Sequence, residues 1–266
     1  MPTQKTSLCI ICNDDSRYEQ AQSFAIEHQL PLFKEKSDEH ELQLIFGDER
    51  IELYDKQLNT GIDVDFVSGA LAHRQQFGGG RGQAIAKAIG LKKDKYPEVL
   101  DVTAGLARDA YVLATLGCRM TLVEKSPVLG ALIQDGINRG LENEQSASTL
   151  LNHFVLHNQN AIGFMNNLEE DQRPDVVYID PMYPERKKSA LVKKDMQILQ
   201  RLLGKTEDDE ALLKAALNCA KKRVVVKRPA QAEPVGEITP SSSVSSKKTR
   251  YDLYSGQLLR PVSEKI

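Results

Sequence analysis

Two hydrophobic patterns divide the 266-residue chain. Up to residue 65 the apolar runs are short and mixed. Residues 7–12 contain LCIIC, which reads as a short buried strand. Arg17–Gln29 places Ala21, Phe24 and Ala25 on one side of a helix. Pro31 interrupts, and Leu32–Phe33 begins another strand. Leu42–Phe46 and Ile51–Tyr54 flank Gly47-Asp48, a hairpin signal. Residues 1–65 are thus expected to form a small α+β subdomain.

From Pro97 the pattern becomes regular. Glu98–Val102 is a short apolar strand, and Gly105 leads into a helix over Leu106–Leu116 that ends at Gly117. Met120–Glu124 is a second strand. Ser126 is placed to cap a helix that starts at Pro127, with Val128, Leu129, Leu132, Ile133 and Ile137 as its stripe and Gly140 as its stop. Phe154–His157 and Asp175–Asp180 are the third and fourth strands. A helix through Leu191, Met196, Leu199 and Leu203 ends at Gly204, and Glu207–Glu210 load the first turn of the next with negative charge. Arg223–Lys227 is a fifth strand. Residues 229–243 read as a loop, and Val244–Lys248 with Arg250–Ser255 as a closing hairpin.

Strands alternating with amphipathic helices require crossover connections, so residues 66–266 are expected to form an α/β domain with a mostly parallel, doubly wound sheet. Such sheets bind ligands beyond the carboxyl ends of their strands. The residues that follow each strand therefore carry the functional information.

Composition narrows the class. Hydrophobic residues make up 41% and charged residues 27%, ordinary values for a soluble globular protein. No apolar run approaches the ~20 residues needed to span a bilayer. The N-terminus lacks the pattern of a secretory signal, so a cytoplasmic location is expected. Cys9 and Cys12 form a CxxC, but no second pair exists to complete a zinc site, and the apolar LCIIC favours a buried structural role. Net charge is −2, unevenly spread. Glu35–Asp65 carries ten acidic and three basic residues, whereas Arg173 to the end carries nineteen basic and twelve acidic. The C-terminal half can attract a polyanion despite the acidic total.

The cofactor signal lies after the first three regular strands. The first exits into DVTAGLARD, a turn whose Gly105 lets a ligand approach the backbone. One glycine, rather than the three of GxGxxG, argues against a dinucleotide. The glycine cluster at Gly78–Gly82 lacks the flanking strand and GK[ST] of a phosphate loop. The second strand ends at Glu124, placed to accept ribose hydroxyls. Asn158, Gln159 and Asn160 follow the third and can reach an adenine edge. S-adenosylmethionine, which has an adenosine and no phosphate, fits this order.

The fourth strand exits into Asp180-Pro181-Met182-Tyr183-Pro184, a variant of the (D/N)PP(Y/F) motif of amino methyltransferases. An exocyclic amine is a poor nucleophile because its lone pair is delocalised. The Asp180 carboxylate and the Pro181 carbonyl can accept from its two hydrogens, and Tyr183 can stack the base once it has left its helix. Beyond it, ERKKSALVKK offers Lys187, Lys188, Lys193 and Lys194 to RNA phosphates. Lys221, Lys222, Arg223, Lys227 and Arg228 bracket the fifth strand and are expected to extend that surface.

These residues carry a family likeness. DVTAGLARDAYVLATLGC, VEKSPV, YIDPMYPERKKSALVKK, KRVVVKRP and RYDLYSG, with FGGGRGQAIAKAIG upstream, resemble the bacterial ribosomal small-subunit methyltransferase J family over about residues 65–256. The resemblance implies a class I, Rossmann-like methyltransferase. It implies methyl transfer from S-adenosylmethionine to N2 of a guanine in 16S ribosomal RNA, by resemblance guanine-1516. For cofactor contacts it points to Arg108, Asp109, Glu124, Lys125, Gln159, Asn160 and Asp180. At Lys125 relatives often carry arginine, and at Gln159-Asn160 they can carry serines. The resemblance implies the small ribosomal subunit or its RNA as partner, with no membrane and no metal.

Overall fold

The computed structural model describes residues 7–68, 80–181, 194–204 and 209–255. They group into two compact units, each of which draws on several stretches of the chain.

The first unit takes its described residues from 1–64, 126–139 and 182–206. Its sheet has the order β2-β1-β3-β4-β5, with β1 Leu8–Cys12, β2 Leu32–Phe33, β3 Leu42–Phe46, β4 Ile51–Asp55 and β5 Thr60–Ile62. Strand β1 pairs in parallel with β2 and β3, while β3, β4 and β5 run antiparallel. Helix α1, Tyr18–His28, follows β1 and buries Ala21 and Ala25. Cys9 and Cys12 are buried free thiols in β1, and burial pushes the Cys9 thiol up to about 11. This environment suits packing rather than thiolate chemistry.

Two distant segments join this sheet through buried charge. Arg201, on helix α7 (Lys194–Leu203), brings Nε within 2.7 Å of fully buried Asp55 and also meets Glu41 and Gln57. The Arg201–Asp55 contact is a close ion pair rather than a well-aligned hydrogen bond, since neither Asp55 Oδ2 nor Arg201 Nε has a hydrogen-bond partner of good geometry. Asp135, on helix α4 (Pro127–Leu141), is held between Arg17 and Arg139 at 2.7 and 2.8 Å. Gly136 lets the same helix approach the main chain closely. A Cβ there would stand 2.6 Å from the Val64 carbonyl oxygen.

The second unit takes its described residues from 65–125, 140–181 and 207–266. Its seven-stranded sheet has the order β11-β12-β10-β9-β6-β7-β8. The strands are β6 Glu98–Asp101, β7 Arg119–Glu124, β8 Phe154–Asn158, β9 Val176–Ile179, β10 Arg223–Pro229, β11 Ser242–Ser245 and β12 Thr249–Ser255. Strands β8, β7, β6, β9 and β10 are parallel, and β12 and β11 close the edge antiparallel. The expected mostly parallel sheet is present. Helices α2 (Ala84–Ala88), α3 (Arg108–Thr115), α5 (Glu144–His153), α6 (Ala161–Asn166) and α8 (Asp209–Cys219) belong to this unit.

The core of this unit follows from all-apolar central strands, as in sheets covered on both faces. Leu100, Val177, Ile179, Val224 and Val226 pack with Leu213, Ala216 and Tyr254 on one side. Phe66, Tyr111 and Phe154 form an aromatic cluster elsewhere in the unit, with Phe66 and Tyr111 stacked at 4.7 Å. Gly140 does not stop helix α4, which runs on to Leu141. It is a packing position, because a Cβ there would meet Leu150 Cδ1 at 2.4 Å.

The strand order positions the site. From β6 the chain winds outward to β7 and β8, then returns to the other side of β6 to form β9. That reversal opens a crevice beyond the carboxyl ends of β6 and β9. No helix among the described residues is long and apolar enough to cross a membrane.

Candidate active site

Four carboxylates gather at the carboxyl ends of the central strands. Asp101 ends β6, Glu124 ends β7, Asp180 follows β9, and Asp109 lies in the first turn of α3. The turn from β6 to α3 is bent by two left-handed residues, Gly105 at φ 57° and Ala107 at φ 54°. Glycine tolerates that conformation, whereas alanine holds it at a cost of about 1 kcal/mol, the kind of strain that collects at functional sites.

Hydrogen bonds knit the strand ends together. The Gly105 N–H donates to Glu124 Oε2 at 2.8 Å. Thr103 donates through its N–H to Asp101 Oδ1 at 3.0 Å, and its Oγ1 accepts the Asp180 N–H at 2.7 Å. Asn158 Nδ2 donates to the Glu124 carbonyl at 2.5 Å. The turn after β6, the acid of β7 and the exit of β9 are therefore one fixed frame.

Lys227, near the end of β10, brings its Nζ within 2.7 Å of Asp109 Oδ2 and 2.8 Å of Asp180 Oδ2. Buried Tyr178 also donates its hydroxyl to Asp109 Oδ2 at 2.8 Å. Burial disfavours the charge on Lys227, but the two carboxylates outweigh it and hold its pKa above the usual lysine value. Although 37% of the Asp180 side-chain surface is open, burial pushes its carboxyl up to about 6. Lys227 pulls the other way, and Asp109 adds to the rise.

Asp101 is 2% exposed, and burial pushes its carboxyl up to about 7. The Thr103 N–H opposes the shift, while Asp180, Asp109 and Glu124 reinforce it. Lys227 sets one positive charge against the four carboxylates, and a ligand that brings an ammonium and a sulfonium, as S-adenosylmethionine does, adds to it. Glu124, 7% exposed, spends one acceptor site on Gly105. A carboxylate offers about four acceptor sites, the chemistry that ribose hydroxyls require.

The sequence-derived residues divide into groups. Gly105, Asp109, Glu124, Asp180 and Pro181 come together at the carboxyl ends of the strands, and Pro181 is buried. Arg108 is the exposed first residue of α3, and Lys125 is exposed just beyond β7. Gln159 is exposed after β8, while Asn160 caps α6 by accepting from the Gly163 N–H at 3.1 Å. Asn160 thus has a structural task beside the expected adenine contact. Tyr183, Lys187, Lys188 and Lys193 lie outside the described residues. Lys194 opens α7 in the first unit.

The expected basic surface around β10 needs correction. Lys221, Lys222 and Arg223 stand at the amino end of that strand. Lys222 pairs with Asp175 at 2.7 Å, and Arg223 donates to the Ala88 carbonyl. Lys227 lies at the other end and turns into the carboxylate cluster instead of extending a phosphate surface. Arg228 is buried. The rise of about 3.3 Å per residue separates the two ends by more than a phosphate contact spans.

A family model described as "Putative SAM-dependent methyltransferase" matches residues 25–256. "Ribosomal RNA small subunit methyltransferase J" of Shewanella amazonensis is 49% identical over 220 residues, covering 82% of this chain and 88% of that protein. The protein of the same name from Photorhabdus laumondii is 44% identical over 254 residues, covering 93% and 98%.

The chain belongs to the ribosomal RNA small subunit methyltransferase J family.

As a member of that family it is a SAM-dependent methyltransferase. A crystal structure of a SAM-dependent methyltransferase from Neisseria gonorrhoeae superposes with a TM-score of 0.73 at 34% identity, covering 92% of this chain and 95% of that one. The expected class I, Rossmann-like fold is thereby shown. Asp101, Thr103 and Tyr178 join the cluster at the strand ends although motif reading did not single them out, and Lys227, expected on a phosphate surface, joins it as well. Asp101 carried a usable signal, an acid at the very end of the first regular strand. Lys227 did not, because its role appears only once β10 is paired with β9.

Proposed function

We propose that the protein transfers a methyl group from S-adenosylmethionine to N2 of a guanine in 16S ribosomal RNA of the small subunit. The observation that carries this reading is the Asp180 carboxylate at the exit of β9, hydrogen-bonded to Lys227 and fixed through its N–H to the β6 turn. The relatives' names support small-subunit ribosomal RNA as acceptor, while guanine-1516 rests on the resemblance alone and a cytoplasmic location on the sequence reading.

S-adenosylmethionine supplies an electrophilic methyl group on a sulfonium. Gly105, Arg108, Asp109, Glu124, Lys125, Gln159 and Asn160 are the residues proposed to hold it. The Asp180 carboxylate accepts an N–H of the guanine 2-amino group and the Pro181 carbonyl accepts the other, which concentrates lone-pair density on nitrogen. As nitrogen gains the methyl group it loses a proton, for which Asp180 is the adjacent base. Tyr183 stacks the extruded base, and Lys187, Lys188, Lys193 and Lys194 meet neighbouring phosphates. The proposed division is a subdomain of residues 1–65 and a methyltransferase domain of residues 66–266.

The test is transfer of labelled methyl to small subunits, or to their RNA, from a strain lacking the gene, followed by mass spectrometry of the nucleosides. N2-methylguanosine is the expected product. Cofactor-binding protein that labels neither substrate, or that yields a methylated adenine, overturns the acceptor assignment.

A further inference from the structure

Lys227 is the one described cation ion-paired to Asp180, and cofactor binding does not by itself account for it. Strand β10 pairs in parallel with β9, with Val226 opposite Ile179, so Lys227 and Asp180 emerge side by side. Their Nζ–Oδ2 separation is 2.8 Å. A donor and an acceptor thus stand together at the carboxyl ends of β9 and β10 at the spacing of adjacent atoms on one ring edge. Asp109 and Tyr178 anchor the group behind Lys227, and 27% of the Lys227 side chain remains exposed to an incoming ligand.

We propose that Lys227 determines base specificity: its ammonium donates to O6 of the target guanine while the Asp180 carboxylate accepts from N1–H and the 2-amino group. This rests on the guanine reading above and deepens it. The guanine edge runs acceptor, donor, donor from O6 through N1 to N2. Lys227 and Asp180 present the complementary donor and acceptors in that order. Adenine places a 6-amino donor where guanine has O6, so an ammonium opposite it meets a second donor and both are left unpaired. Discrimination by an unpaired polar group is stronger than by shape alone.

The experiment combines an atomic change in the RNA with one in the protein. Small-subunit RNA is assembled by ligation with either guanine or 2-aminopurine at the target. The latter keeps the 2-amino group and lacks O6 and N1–H. Transfer is measured with wild type, Lys227→Met and Lys227→Arg, and calorimetry with S-adenosylmethionine confirms that each variant is folded. Wild type is expected to lose about a hundredfold in kcat/KM on the 2-aminopurine RNA, and the penalty is expected to shrink by about tenfold in Lys227→Met, by the usual worth of a charge-assisted contact to a base. Lys227→Arg keeps a donor and retains most of the penalty.

If Lys227 serves only the cofactor or the frame, the penalty is the same in wild type and Lys227→Met, and the proposal falls. It falls as well if wild type uses both RNAs equally, a result that stands even if Lys227→Met does not fold. No transfer to the unmodified RNA by cofactor-bound wild type refutes the guanine reading itself, and the proposal with it.

Discussion

The main-chain N–H of Gly105 donates to Glu124 Oε2 across 2.8 Å, joining the turn after β6 to the acid that ends β7. One side chain thereby serves both the shape of the turn and the proposed ribose contact. Glu124→Gln keeps an oxygen for Gly105 and loses the charge and half of the acceptor capacity. Its affinity for S-adenosylmethionine should fall about tenfold in calorimetry with little change in melting temperature, by the worth of hydrogen bonds to charged groups. Glu124→Ala should lose affinity and stability together. Unchanged affinity in both variants removes Glu124 from the cofactor site.

Asp180 can take up the proton that the amine loses only as a carboxylate. With its carboxyl pushed up to about 6 by burial, it is expected to set the acid limb of the reaction. Single-turnover transfer should rise with pH through about 6 and level off above it. Lys227 lowers that pKa, so Lys227→Met should move the limb to higher pH. Asp180→Asn should reduce the rate by at least about a hundredfold, within the range for a lost catalytic base. Full activity in Asp180→Asn, or a flat profile between pH 5 and pH 8 in wild type, refutes the assignment.

Asp101 makes the unliganded protein sensitive to pH in the opposite direction to an ordinary surface acid. Its folded pKa of about 7 lies above the value of about 3.9 expected for an unfolded chain. The folded state therefore holds the proton more tightly. The stability this contributes is complete below about pH 4 and is lost as pH rises to about 7. Asp101→Asn should flatten the dependence of melting temperature on pH across that window. A cationic cofactor should release the Asp101 proton, so binding near pH 6.5 should give heats that vary with the ionisation enthalpy of the buffer. Heats that do not vary contradict the proposed electrostatic match.

Arg201 should matter far more than a surface arginine. Asp55 is fully buried, and removal of its partner leaves an uncompensated charge. Arg201→Ala should destabilise the protein by about 3 kcal/mol in urea unfolding. The double variant Asp55→Asn, Arg201→Met should recover part of that loss. A loss below about 0.5 kcal/mol, the level of an exposed pair, would show that the contact contributes little.

Much of this was legible in the sequence, for reasons that differ by element. The central strands announced themselves because burial on both faces demands unbroken apolar runs such as RVVVK. The hairpin at Gly47-Asp48 was readable from its turn. Helices α5 and α6 were not read, because α5 is mostly polar and α6 is only six residues long, and each buries few residues, Leu150 and Met165 among them. Gly140 misled because glycine signals both a helix stop and a close packing point, and only a neighbour such as Leu150 tells them apart. In the site, Glu124 and Asp180 were legible from their positions after strands. The inward turn of Lys227 was not, because a lysine beside an arginine reads equally as surface charge until strand register is known.

The ion contact between Asp55 and Arg201 also dictates an order of assembly. During synthesis β1 to β5 emerge first, yet Asp55 has no arginine to meet until α7 has been made. Helix α4, which supplies Asp135 to Arg17, arrives in between. The first unit therefore cannot close as the chain leaves the ribosome. It waits while β6 to β9, with both the Gly105 turn and Asp180, are translated. A chain that stalls before Arg201 leaves Asp55 without that arginine at its amino end, so the completed unit marks a polypeptide that has already extended past β9.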